Sequence, residues 1–148
     1  MIKFIIPGYV CGKQRSRGRH IKTKDNREFN INYTPKKTVN YETLIQELFY
    51  IKYKNHGLIL DAISMTINAY YPIPKSISKK KRELMLSGEI RPTVRPDFDN
   101  VEKIFADALS GIAYKNDNQV VDSEFHKYYS DNPRTEITIY KLSEIQNG

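Results

Sequence analysis

Only one cysteine, Cys11, occurs in 148 residues, which excludes an internal disulfide and any cysteine-built zinc cluster. Histidine is also scarce, with three in the chain. His20, His56 and His126 stand far apart, with no ligand-like spacing and no Ser/His/Asp or Cys/His arrangement around them. No stretch, "GKQRSRG" included, matches a phosphate-cradling P-loop, so no nucleotide cofactor is expected. No apolar run approaches the roughly 20 residues that span a bilayer. The opening "MIKFIIPGYV" lacks the long apolar core and small-residue cleavage site of a signal peptide. These absences predict a cytoplasmic protein in a reducing setting, with no membrane among its partners.

Hydrophobic residues at 39% and aromatics at 11%, mostly tyrosine, support one domain over residues 1–148 with a modest core of its own. The net charge of +7 and a pI near 9.4 point to a polyanionic partner, nucleic acid first. Its distribution is uneven. Residues 1–40 carry ten Lys/Arg against two Asp/Glu, residues 41–96 nine against five, and residues 97–148 five against ten. Within the acidic part, "DFDNVEKIFAD" places three aspartates and a glutamate in eleven residues, 97–107. Negative charge repels phosphate, so this block is out of place on a nucleic-acid surface unless something positive sits on it.

"IKFIIP" (2–7) reads as a strand. Residues 8–33 show no apolar period and read as an exposed, basic, mobile loop. A helix is expected over 35–53, with Thr34 as N-cap, Pro35 at the first position and a stripe of Val39, Leu44, Ile45, Leu48 and Ile51. "DAISMTINAYYPIP" alternates as a half-buried strand ended by prolines. A basic helix follows over 78–87, closed by Gly88. Val101, Ile104, Phe105, Ala108 and Leu109 form the clearest amphipathic helix, with Asp99 as expected N-cap and Gly111 after its end. "YKNDNQ" is a turn. "VVDSEFHKYYS" and "TEITIYKL" alternate as two strands that read as a hairpin. The prediction is an α+β domain with a mixed sheet of about four strands.

Asp97 and Asp99 flank Phe98, and an extended backbone points both carboxylates to one side. Asp117 lies in the turn beyond the helix and joins them only if the next strand runs back beside the Asp97 segment. Three converging carboxylates would offer the hard oxygen ligands of Mg²⁺ or Mn²⁺. The alternative is plain: Asp99 as an N-cap worth about 1 kcal/mol, with Asp97 and Asp117 as turn residues. Lys103, one turn after Asp99, either stabilises phosphate charge or pairs with Asp99 or Asp107 on the surface. Asp107 is a candidate fourth acid, ranked below the others. Lys79, Lys80, Lys81 and Arg82 are either a phosphate-facing patch or a solvated helix face.

"RPDFDNVEKIFADALSG" followed by "YKNDNQVVD" resembles the signature of the RusA family of Holliday junction resolvases, closely over residues 96–122. The first stretch pairs Asp-x-Asp-Asn with a lysine and Asp-Ala-Leu, and the second carries Asp-x-Gln-Val-Val in a turn. "IPGYVCGKQRSRGRH" and "HKYYSDNPRTEITI" resemble the flanking strand, basic loop and closing hairpin more loosely, with Ser16 where relatives often have proline. Relatives often have two acids in the turn, whereas here Asn116 precedes Asp117.

The resemblance implies a homodimeric, Mg²⁺-dependent endonuclease that cuts four-way DNA junctions symmetrically, in a family common in phages and prophages, and a mixed sheet with helices on one side. It implies that Asp97, Asp99 and Asp117 hold the metal, with Lys103 as catalytic lysine and Lys127 as a basic residue of the closing hairpin. Phosphate contacts would come from Lys13, Arg15, Arg17 and Arg19, with Lys79, Lys80, Lys81 and Arg82. Two other readings compete: a non-catalytic nucleic-acid-binding module, and a nuclease of flaps or RNA using the same metal site.

Overall fold

Alternation of buried and more exposed side chains along three of its strands builds the core face of the main sheet. The computed structural model describes residues 1–147. In chain order the elements are β1 (Ile2–Pro7), β2 (Arg17–Lys22), β3 (Glu28–Tyr33), α1 (Lys36–Tyr53), β4 (Ile63–Pro72), α2 (Lys79–Leu86), α3 (Phe98–Leu109), β5 (Val120–Ser130), β6 (Arg134–Lys141) and α4 (Leu142–Gln146). The domain is α+β, with a four-stranded mixed sheet of order β1-β6-β4-β5 and a separate two-stranded sheet, β2-β3. β4 is central, antiparallel to β6 and parallel to β5.

Every second residue of β4 (Ile63, Met65, Ile67, Ala69, Tyr71) is buried, as are Ile2, Phe4 and Ile6 of β1 and Ile137 and Ile139 of β6. α1 and α3 cover this face. Phe49 of α1 meets Phe4 edge-on at 5.9 Å, and Tyr41 meets Phe105 of α3 at 6.1 Å. All five residues of the predicted α3 stripe are buried at 1% exposure or less. Each large side chain in that stripe contributes about 1.5–3 kcal/mol of burial.

Four expectations are corrected. Residues 8–33 are not all loop, because β2 and β3 form a hairpin. Thr23 and Arg27 close its tip, and Asn26 takes the left-handed conformation (φ 60°) that asparagine tolerates. Phe29, Ile31 and Tyr33 do alternate, but every residue of β3 is exposed, so the alternation marks no core face. The buried stripe of α1 is Thr38, Tyr41, Ile45 and Phe49, rotated from the predicted one, and Val39 and Ile51 face solvent. Pro35, not Thr34, occupies the N-cap position, because its φ of −55° and ψ of 140° keep it extended. Finally, β5 and β6 are not a hairpin. β4 lies between them, offering a ladder on each edge, and the turn at Asp131–Pro133 carries the chain past the end where Pro72 stops β4.

Candidate active site and nucleic-acid groove

The acidic pair sits where α3 begins. The helix starts at Phe98 with Asp97 in the N-cap position, so Asp99 lies in the first turn and is not the cap. Asp97 makes no side-chain capping bond, which removes the capping explanation for the pair. Among the described residues, no side chain donates to or pairs with the carboxylates of Asp97 or Asp99, and both are exposed.

Every nearby hydrogen bond instead fixes the backbone around them. Lys127 Nζ donates to the Val94 carbonyl at 2.8 Å, Tyr9 Oη to Arg95 at 2.8 Å and Tyr71 Oη to Pro96 at 3.0 Å. The Lys13 amide donates to the Asn100 carbonyl at 2.8 Å. Gly12 lies so close that a Cβ there would stand 2.8 Å from Pro96 Cβ and 3.0 Å from Asn100 Cβ. Burial raises the Tyr71 hydroxyl's pKa, and Tyr9 and Asp97 add to it, so it stays a donor. The segment is held at four carbonyls while its two carboxylates are left free.

Two concavities meet at the pair. A cleft of about 470 Å³ is lined by Asp97, Phe98, Asp99, Phe125 and Lys127. A groove of about 880 Å³ runs from Asp97 and Asp99 along Gly12 to Arg17 and includes Lys37 and Arg95. Burial lowers the pKa of the Lys127 ammonium while Asp97 opposes the shift, and the Tyr71 ring lies 5.2 Å beneath it.

The predicted residues are distributed as follows. Asp97, Asp99 and Lys127 come together, and Arg15 and Arg17 line the groove. Lys103 is exposed on α3 one turn from Asp99 and pairs with neither Asp99 nor Asp107. Lys13 is not free for phosphate. Its Nζ bridges Glu42 and Asp107, the latter at 3.3 Å, because the loop folds back onto α1 and α3. Partial burial pulls its pKa down, but the bonds to Glu42 and Asp107 outweigh that and raise it. Asp107, the candidate fourth acid, is therefore already engaged. Arg19 is exposed on β2. Lys79, Lys80 and Lys81 are exposed on α2, which Ser78 caps, while Arg82 pairs with Asp131.

Asp117 does not join the pair within one chain. β5 does run back along α3, with Ser123 bonded to Glu102 at 2.7 Å. The residues it brings alongside Asp97 are Phe125 and Lys127, while Asp117 stays in the turn beyond the other end of the helix. α3 has 12 residues and is therefore about 18 Å long. Among the described residues no three of Asp, Glu, His or Cys gather as a metal-binding group.

Sequence reasoning missed Lys37, Arg95, Gly12, Tyr9 and Tyr71. Arg95 borders the acidic motif and was legible as a cation beside it. The tyrosines carried no signal, since only the tertiary structure aims their hydroxyls at residues 95 and 96.

Fold and site together define a small α+β domain with an unpartnered acidic pair set in a basic groove. The comparison with known families agrees: residues 7–140 match the Endodeoxyribonuclease RusA family. The chain belongs to the RusA endodeoxyribonuclease family. It is also 43% identical over 94 residues, 62% of its length, to the "Uncharacterized protein YqaN" of Bacillus subtilis (strain 168), and the match spans 66% of that relative. No helix among the described residues is long and apolar enough to cross a membrane.

Proposed function

We propose that this protein is a divalent-metal-dependent endodeoxyribonuclease that resolves four-way DNA junctions by symmetric phosphodiester hydrolysis. It acts as a cytoplasmic homodimer in DNA recombination and repair, including that of phage or prophage DNA. One observation carries the reading: two exposed carboxylates without protein partners stand on a fixed backbone at the end of a cationic groove.

The donor set fits a hard cation. Asp97 and Asp99 offer exposed oxygens, and no imidazole lies among the residues lining either concavity, nor any thiol except that of buried Cys11. Bound there, Mg²⁺ or Mn²⁺ would supply positive charge for the scissile phosphate and orient the attacking water. Arg15, Arg17, Lys37 and Arg95 hold the flanking phosphates along the groove. Lys127, tethered to Val94, presents a positive charge on the cleft side, and Lys103 stabilises the phosphate or the leaving oxygen. Lys79, Lys80 and Lys81 extend the phosphate contacts. Shape rather than base sequence selects the substrate, because these contacts are to the backbone.

A two-fold dimer presents two such sites to two strands. Asp117 is separated from the pair by the length of α3, so it serves the same metal only when the second copy of the chain supplies it. The test uses an end-labelled four-way junction with and without Mg²⁺. Paired symmetric nicks that require metal are expected; tight binding with no cleavage in Mg²⁺ or Mn²⁺ would leave a binding module. Mixing Asp97→Asn chains with Asp117→Asn chains separates the two placements of Asp117. A shared site regains nicking at one position, whereas sites contained in single chains stay silent.

A further inference from the structure

The β2–β3 hairpin is the least explained feature of the molecule. Among the described residues its strands bond only to each other, and a lone two-stranded ribbon is marginally stable in water. The register pairs Arg17 with Tyr33, Arg19 with Ile31 and Ile21 with Phe29, so all six side chains share one face. Phe29, Ile31 and Tyr33 there are 45%, 38% and 44% exposed. The opposite face satisfies itself. His20 bonds Asn30 at 3.0 Å, and Lys22 lies 3.7 Å from Glu28, so its charges cancel. The unbalanced charge of the two strands, both arginines, lies among the aromatic rings.

That combination selects an occupant. A second copy meeting this face with its own would oppose arginine to arginine, which charge disfavours. A nucleic acid satisfies both components, with phosphate for the arginines and base faces for the rings. The ribbon is also continuous with the groove, whose lining includes Arg17, its first residue. Six residues extend about 20 Å, the length of about six base pairs beyond Arg17. Intact duplex buries its base faces in the stack and offers the rings little. A branch point leaves base-pair faces exposed.

We propose that the aromatic–arginine face of the β2–β3 hairpin stacks Phe29 and Tyr33 on bases exposed at the branch point, and so makes the protein prefer branched DNA to duplex. This rests on the DNA-junction reading above and assigns the discrimination to residues outside the acidic centre.

The experiment measures affinity for a fluorescent four-way junction and for a duplex of the same sequence, in EDTA over a series of salt concentrations. Phe29→Leu/Tyr33→Leu keeps apolar bulk but removes both rings. It is expected to lose about tenfold to a hundredfold on the junction and to bind the duplex as the parent does. Phe29→Tyr/Tyr33→Phe keeps the rings and is expected to keep the preference, with unfolding temperature unchanged in both variants. Arg17→Gln/Arg19→Gln is expected to weaken both substrates and flatten the salt dependence by about two phosphate contacts. A leucine pair that binds the junction like the parent, or that loses equally on both DNAs, overturns the proposal. So does a leucine pair that turns a dimer into a monomer in sedimentation, since the face would then be a protein interface. Any of these, beside a parent that still cleaves junctions, removes only the hairpin's role. A parent that neither prefers nor cleaves junctions removes the functional reading together with it.

Discussion

Asp99→Asn is expected to reduce junction cleavage by about a hundredfold to a thousandfold or more, the scale for losing a group that organises charge at the reacting phosphate. Folding should be nearly untouched. Asp99 is exposed and bonds to no side chain, so the change forfeits only its interaction with the start of α3. That interaction is worth about 0.3–1 kcal/mol. The effect on binding has a definite sign. Without metal the carboxylate repels phosphate, and at about 4 Å in water one such repulsion is worth about 1 kcal/mol. In EDTA the variant should therefore bind the junction roughly fivefold more tightly than the parent. With Mg²⁺ present, that gain should shrink, because a cation held by the pair would already neutralise the parent. Cleavage and anisotropy on one preparation read both effects. Weaker binding in EDTA would mean that Asp99 supports the groove's shape instead of holding a cation.

Gly12→Ala is expected to cost about a hundredfold in cleavage from a single methyl group that touches no substrate. Gly12 is needed for space: its added Cβ would meet the Pro96 ring at 2.8 Å and Asn100 Cβ at 3.0 Å. Neither neighbour is the free end of a flexible side chain, so the two segments must part. Parting strains the bond from the Lys13 amide to the Asn100 carbonyl and moves the backbone that carries Asp97 and Asp99. Overpacking of this kind costs about 1–3 kcal/mol, and a displacement of about 1 Å at a reacting centre costs about 10²-fold in rate. Gly57→Ala is the control, since nothing lies within 4 Å of its Cβ position. Single-turnover cleavage and thermal unfolding of the pair decide the matter. A Gly12→Ala protein that cleaves at the parent's rate would show that the loop yields without disturbing the acids.

Features that depend on neighbours along the chain could be read from the order of residues. The α3 stripe was legible to the residue, because a helix places positions i, i+3 and i+4 on one face whatever surrounds it. The strict alternation of β4 was legible for the same local reason. The extended backbone expected to point Asp97 and Asp99 to one side is not formed, since Asp97 is the N-cap and Asp99 lies in the first turn of α3. Long-range pairing was not. α1 carries apolar residues on more than one side, and only contact with Phe4 and Phe105 chose Tyr41, Ile45 and Phe49 over Val39 and Ile51. β5 and β6 are neighbours in sequence, but β4 separates them because its two edges were both open. The hairpin's Phe29, Ile31 and Tyr33 alternate as core residues do, yet they lie outside the core.

The site divides along the same line. Local spacing identified the acidic pair. Tertiary structure decided that Lys13 pairs with Glu42 and Asp107, that Lys127 stands beside Asp97, and that Asp117 lies at the far end of α3. The physical reason is one of range: periodicity and motif are set by backbone geometry over a few residues. Which charge meets which is set by how distant segments bury their apolar faces.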